Sequence, residues 1–309
     1  DMAGNSSTSE AITQNTADEG MLDDELSEEI GKYVDYTPVS GSFISQKIYN
    51  GYSINQTFQT QTNLKWRILF VDDNKLTLIA DTTANTGFNL TGANGYNNGV
   101  LLLNEACHAL YSNISLGGVA RSLDIDDIER VSSYDKTTYA TNEVTYGKEY
   151  SLWSANIPNI FALEKTGAPD GKYGTKYDLS DQDSYITGSE WAVNKTAKGK
   201  QTYYNYALTS DFLEPIYTEL FTSQPGTTTA LDTYWLASRC VNFDNAWADF
   251  SMFYVSGGTV DASNLYNSSN NDSSNSYAVR PVVEIDLSKA SVGATGSGTA
   301  GDPYSIVAK

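Results

Sequence analysis

The sequence predicts an α+β domain, and three observations carry that prediction. Two hairpins are written as strand residues around turn residues, two stretches repeat apolar residues at helical spacing, and segments rich in Ser, Asn, Thr and Gly separate them. The 309 residues are 40% hydrophobic and include 22 tyrosines, enough for a sizeable core.

Taken in order, residues 1–18 are small and polar without periodicity and read as a linker. Leu22, Leu26 and Ile30 then fall on one face of a short acidic helix that Gly31 ends. Residues 1–29 are therefore an acidic polar tail carrying a short helix, and 30–309 the domain. Between 33 and 64 the pattern gives short strands, Tyr33-Val34-Asp35-Tyr36 being the clearest. Lys65 to Val71 and Lys75 to Ala80 flank Asp72-Asp73-Asn74, a hairpin whose acids are expected to face water rather than hold calcium.

Val100, Leu103, Cys107 and Leu110 predict a helix over 97–113 that carries His108, the only histidine, as a surface or packing residue. A second helix over 122–131 has Ser122 as N-cap and Asp124, Asp126 and Asp127 in its first turn, where the helix dipole favours acids. Residues 132–205, with Trp153, Trp191 and a short helix near 157–163, read as loops laid over the core. A third helix is expected over 209–222 around Phe212, Ile216 and Leu220, kinked or started by Pro215, and 226–229 is a linker. After Val283 the last strand continues to Leu287, Gly293 to Gly301 form a flexible turn, and Tyr304 to Val307 form a final strand near the start of the domain.

The stretch from Trp235 to Val283 organises the rest. It opens with Tyr234-Trp235-Leu236-Ala237-Ser238-Arg239 and closes with Val279-Arg280-Pro281-Val282-Val283, and between Cys240 and Val279 there is no Lys, Arg, Glu, Gln, His or Pro. From Trp247 to Val255 the residues alternate: Phe250, Met252 and Tyr254 are expected inward, and Trp247, Asp249, Ser251 and Phe253 outward. Gly257-Gly258 marks a tight turn, and the next strand buries Val260 and Leu265. Ser268 to Ser276 contain only Ser, Asn and Asp, which form turns but bury no core.

An outer layer of aromatic rings with short polar groups suits recognition. Rings supply contact area for few frozen torsions, and Ser, Asn and Asp supply adaptable hydrogen bonds. The expected ligand-contacting residues are Cys240, Asn242, Phe243, Asp244, Asn245, Trp247, Asp249, Ser251, Phe253, Thr259, Asp261, Ser263, Asn264, Tyr266 and Asn267. Arg239 and Arg280 either clamp an anionic ligand or hold the strands through acids and backbone carbonyls, and the second role is the expectation.

These residues resemble the C-terminal half of a C-type-lectin-fold domain. The Trp-Leu-x-Ser-Arg strand, the Tyr-Val-x-Gly-Gly-x-Val hairpin, the polar loop and the closing Val-Arg-Pro-Val-Val are similar to the variable proteins of diversity-generating retroelements of gut bacteria and their phages. Gly95-Tyr96-Asn97-Asn98-Gly99 and Trp66-Arg67-Ile68-Leu69 extend the likeness. The resemblance implies two helices flanking a small mixed sheet with long loops, and a stretch over 240–278 rewritten by adenine-directed mutagenesis, from which Lys, Glu and Gln are hard to reach. It implies an adhesin or receptor-type protein on a cell surface or phage particle, binding a protein or cell-surface ligand. The alternative is a non-diversified surface or pilus-like structural subunit.

Composition removes other classes. A net charge of −19, with ten acids against Lys32 alone in residues 1–36, leaves no basic footprint for nucleic acid. Cys107 and Cys240 have no spaced partner, so zinc is not expected; two free thiols are, with a disulfide between them as the alternative. No run of eighteen apolar residues occurs, and membrane attachment is expected only through a tether outside this chain. With one His and no GxSxG, phosphate-loop or HExxH motif, neither catalysis nor a cofactor is expected. Calcium-dependent sugar binding lacks its Glu-Pro-Asn and Trp-Asn-Asp residues.

Overall fold

The computed structural model describes residues 20–21, 23–44, 56–135, 143–146, 197–200, 204–222, 233–243, 248–267 and 271–309. Outside them lie the polar linker over 1–18, Leu22, the helix expected at 157–163, Trp153, Trp191 and the 226–229 linker. Helix and strand are mixed, about 20% and 44%, so several small sheets rather than a helical bundle form the frame.

A five-stranded sheet has the order β1 (Tyr33–Val34), β4 (Trp66–Asp72), β5 (Lys75–Ala80), β16 (Pro281–Asp286) and β7 (Gly118–Ser122). A seven-stranded sheet has the order β10 (Tyr206–Ala207), β13 (Thr259–Asn267), β12 (Ala248–Ser256), β11 (Tyr234–Phe243), β15 (Ser274–Val279) and β6 (Ala84–Thr91), with β14 (Asn271–Asp272) paired to β13. Two-stranded ribbons join β2 (Ser42–Ile44) to β3 (Thr57–Gln59), β8 (Glu143–Tyr146) to β9 (Ala197–Lys200), and β17 (Ala290–Val292) to β18 (Ile306–Ala308). The chain ends meet where Val34 bridges Tyr304, whose hydroxyl donates to Glu29 Oε2 at 2.8 Å.

Both expected hairpins form, each because its turn residues tolerate positive φ. Asn74 has φ 61° between β4 and β5, and Gly257 and Gly258 have φ 56° and 75° between β12 and β13. Asp72, at the first tip, takes both guanidinium ends of Arg130, at 2.7 and 2.5 Å. Its expected contact with water is thus shared with a cation.

The helices are α1 (Asp23–Ser27), α2 (Gly92–Tyr111), α3 (Ile125–Glu129) and α4 (Pro215–Thr222). Helix α2 begins five residues before the expected start, through a Gly- and Asn-rich stretch that propensity alone disfavours. Packing overrides propensity there. A methyl on Gly95 would sit 3.0 Å from the backbone carbon of Leu90 and one on Gly99 3.2 Å from Met252 Cε, so the glycines ease the close approach of the helix to the strands, Gly95 most of all. Helix α3 corrects the expected N-cap: Ser122 ends β7, and Asp124 caps the helix in a reciprocal capping box with Asp127. Pro215 opens α4, and residues 209–213 form a turn ahead of it rather than more helix.

The sheets are buried on both faces. Helix α2 presses Val100, Leu103, Cys107 and Leu110 onto Trp66, Leu78, Trp235, Met252 and Val283 in a first core. A second core on the opposite faces gathers Leu69, Ile79, Leu236, Phe253, Val255 and Val282 under Tyr204, Tyr206, Leu213, Leu220 and Phe221. Continuous apolar runs such as Val279 to Val283, broken only by Arg280, are the sequence trace of strands covered on both sides.

Candidate recognition face

Strands β11, β12 and β13 carry most of the expected contact residues, and the second core decides which of them can meet a ligand. Met252 is buried and Tyr254 half-buried against the first core, as expected of inward residues. Phe253 and Ser251 are not outward: they are 1% and 3% exposed. Phe253 lies 5.1 Å from the Tyr204 ring, within a layer that joins Tyr134 and Tyr204, expected in loops, to Tyr206 and to Phe212 of the expected third helix.

Cys240 and Ser263 are corrected in the same way. Cys240 is fully buried on the second-core side, paired across the sheet with Ser251, and burial pushes its thiol well above the usual range. Ser263 is 6% exposed, and its Oγ accepts from Asn275 Nδ2 at 2.8 Å. Both cysteines are free, buried and held as neutral thiols. Val260 and Leu265 are both buried as expected, but in different cores, because residues an odd number apart on one strand point to opposite faces.

The remaining candidates divide between the two ends of the sheet. Thr259 and Asp261 lie by the Gly257-Gly258 turn. Asn242, Phe243, Asp249, Asn264, Tyr266 and Asn267 lie toward the other end, Asn267 being about 26 Å and Asn264 about 17 Å from Thr259 along β13 at ~3.3 Å per residue. Asp244, Asn245 and Trp247 fall outside the described residues, in the connection between β11 and β12 at that same end.

This distal end has a register the sequence did not reveal. Asn242 pairs with Asp249, Asp249 with Asn267, and Asn267 with Asn271, a polar row across four strands. Asn264 Nδ2 donates to Asp249 Oδ1 at 2.6 Å. Beside the row, β15 and β6 continue the polar end: Ser274 Oγ donates to Asn89 Oδ1 at 2.5 Å and meets Thr91 Oγ1 at 2.9 Å. Asn271 and Ser274 were missed because β14 and the start of β15 are made of the Ser/Asn run read as a turn, and Asn89 and Thr91 because β6 meets β15 only across a sequence separation of 185 residues. The alternation of exposed Ser274 and Ser276 with half-buried Asn275 and Tyr277 was the available signal.

Buried charge holds this end on its frame. Arg121 engages Asp127 through two bonds of 2.6 Å and Glu284 at 3.1 Å, with Asp124 at 3.4 Å. Burial, with the neighbouring Asp127 charge, pushes Asp124 up to about 7. The N–H of Ile125, in the helix that Asp124 caps, donates to Ser238 Oγ at 3.0 Å, fixing the middle of β11.

The two bracketing arginines part company. Arg280 is 1% exposed and donates to the carbonyls of Ala80, Asp81, Leu220 and Phe221, tying the end of α4 to the strands. Arg239 stacks over the Tyr96 ring at 5.3 Å, and its buried Nη1 has no acceptor. Among the described residues no three His, Cys, Asp or Glu side chains gather as metal ligands, and no helix is long and apolar enough to cross a membrane. Compared with protein-family models, curated proteins and solved structures, the chain matches none.

Proposed function

We propose that this chain is a ligand-binding protein of adhesin or receptor type, with a C-type-lectin-like fold, that displays a diversified recognition face and performs no chemistry. The face is the distal end of the seven-stranded sheet, and the ligand is a protein or other cell-surface molecule met from a cell surface or phage particle. The observation that supports it is the Asn242–Asp249–Asn267–Asn271 row. The row lies at the ends of strands whose middles are packed into a core on each face, so its residues can vary without disturbing that packing. In the sequence Phe243, Trp247 and Tyr266 stand next to this row, and aromatic residues are the type that gives a recognition face its affinity.

A binding screen against bacterial surface proteins tests this reading. Combined Asn242→Ala, Asp249→Ala and Asn267→Ala should weaken a captured ligand at least about tenfold with the melting temperature unchanged, whereas Thr259→Ala at the other end leaves binding intact. Equal affinity for the triple variant would sink the site. Diversification is tested separately: Asn-type codons over 240–278 with a near-identical template beside a reverse-transcriptase gene are expected, and uniform codons without a template refute it.

A second reading, a non-diversified surface or pilus-like subunit, has one observation in its favour. Val39, Ile114 and Val307 are large apolar side chains exposed by 60%, 62% and 49%, near the C-terminal end of α2, where Val39 N donates to Ser112 O and the Ile114–Leu116 turn packs on β18. Concentration-dependent assembly abolished by Ile114→Asp would favour it.

A further inference from the structure

We propose that Arg239 is an anion anchor: a carboxylate carried by the bound ligand completes a guanidinium that the fold leaves without an acceptor. The chain has five arginines. Arg67 donates to Glu219 and to Gly31 O, Arg121 to Asp127 and Glu284, Arg130 to Asp72, and Arg280 to four carbonyls. Arg239 is as deeply placed as Arg67 and Arg121, at 8% exposure, yet its Nη1 is buried with no partner. A guanidinium cannot shed its charge to escape burial, and a charged donor left unsatisfied is among the costliest features a core can keep. Such departures from local satisfaction concentrate at functional positions.

Its surroundings are arranged for an anion. The guanidinium carbon lies 5.3 Å from the Tyr96 ring centroid, a cation–π contact that supplies no hydrogen-bond acceptor to the N–H groups. Tyr96 belongs to the first two turns of α2, a helix of 20 residues. That helix starts without a side-chain cap from Thr91 and without an Asp or Glu in its first turn, and its first N–H donates instead to the Ser273 carbonyl at 3.0 Å. In a chain of net charge −19, the one described guanidinium with an unpartnered buried nitrogen rests against the second turn of α2 through Tyr96. Arg239 precedes Asn242 by three residues in β11, about 10 Å along the strand. A planar carboxylate matches the guanidinium fork in two parallel bonds, and this favours it over a spherical anion.

The inference deepens the recognition reading by naming a chemical group of the ligand, and it is tested with no partner present, so the two fail separately. Thermal unfolding of the full chain is followed against sodium acetate, with chloride holding ionic strength constant, for wild type and for Arg239→Met; Arg239→Gln serves if the Met variant does not fold. Ligand that binds only the folded state raises the melting temperature, and wild type should gain about 2–4 °C more than the variant near tenfold saturation. Equal acetate increments in wild type and variant overturn the anchor. N-acetylglycine, which mimics a chain terminus, and N-acetylaspartate amide, which mimics an acidic side chain, then distinguish the source of the carboxylate. A response to inorganic phosphate without one to acetate overturns the carboxylate assignment.

Discussion

Met252 and Phe253 are consecutive in β12 and belong to different cores, Met252 beneath Gly99 of α2 and Phe253 against the Tyr204 ring. A strand with two buried faces has no outer row along its middle. Phe253→Ala is therefore expected to cost about 3–5 kcal/mol, as removal of a buried aromatic side chain does. Ser274→Ala at the exposed distal end should stay within about 0.5 kcal/mol. Urea unfolding of the two variants decides it; a Phe253→Ala protein of wild-type stability would restore that residue to the surface.

What the sequence made legible was local. Asn74 and Gly257-Gly258 announce their hairpins because few residues accept positive φ, and the spacing from Val100 to Leu110 announces α2. What covers the far face of β12 was not legible, since Tyr204, Tyr206 and Leu213 lie some forty residues or more before Phe253 and carry no marker of that partnership. The register shift at Leu69 puts the consecutive Leu69 and Phe70 in the same core and so breaks simple alternation, and no composition rule places it. At the distal end, the Asn and Ser residues were correctly identified as polar, but only pairing shows that Asn242, Asp249, Asn267 and Asn271 form one row. Arg239 and Arg280 look alike in sequence, and only the positions of carbonyls in remote segments distinguish them.

The two helical glycines should respond differently to the same change. In a free helix Gly→Ala gains about 1 kcal/mol. At Gly95 the new methyl would lie 3.0 Å from the backbone carbon of Leu90, which cannot yield without moving β6, so Gly95→Ala is expected to destabilise by about 1–3 kcal/mol. At Gly99 the obstructing atoms are the ends of Leu90 and Met252, which can turn aside, leaving Gly99→Ala within about 1 kcal/mol of wild type. Chemical denaturation gives both values; equal effects would mean that close approach does not explain the early start of α2.

Asp124 predicts a pH dependence with a definite sign. Its folded pKa is raised from 3.8 to about 7, so between those values the folded chain keeps a proton that the unfolded chain has released. Stability should fall as pH rises through this window, by at most about 4 kcal/mol at 1.36 kcal/mol per pKa unit. Asp72 acts oppositely and in another window. The Arg130 bond holds its carboxyl below the usual range, so its contribution is present above the ordinary carboxylate pKa and disappears only in acid. Asp124→Asn keeps an N-cap side chain and should flatten the pH 4–7 slope; an unchanged slope would assign it to other groups.

Arg280 supplies the complement to the unpaired Arg239. Its guanidinium joins two carbonyls at the end of β5 to two at the end of α4, where the helix dipole is negative. Lysine carries the same charge but a single compact donor group that cannot reach four acceptors spread around a planar fork. Arg280→Lys should therefore cost roughly 2–4 kcal/mol through buried carbonyls left unmatched, and Arg280→Met at least as much. The loss should be nearly the same in acetate and in chloride, because no ligand enters a site already filled by backbone. If Arg280→Lys unfolds like wild type, charge alone sustains the junction and the four-carbonyl clamp is not what joins α4 to the strands.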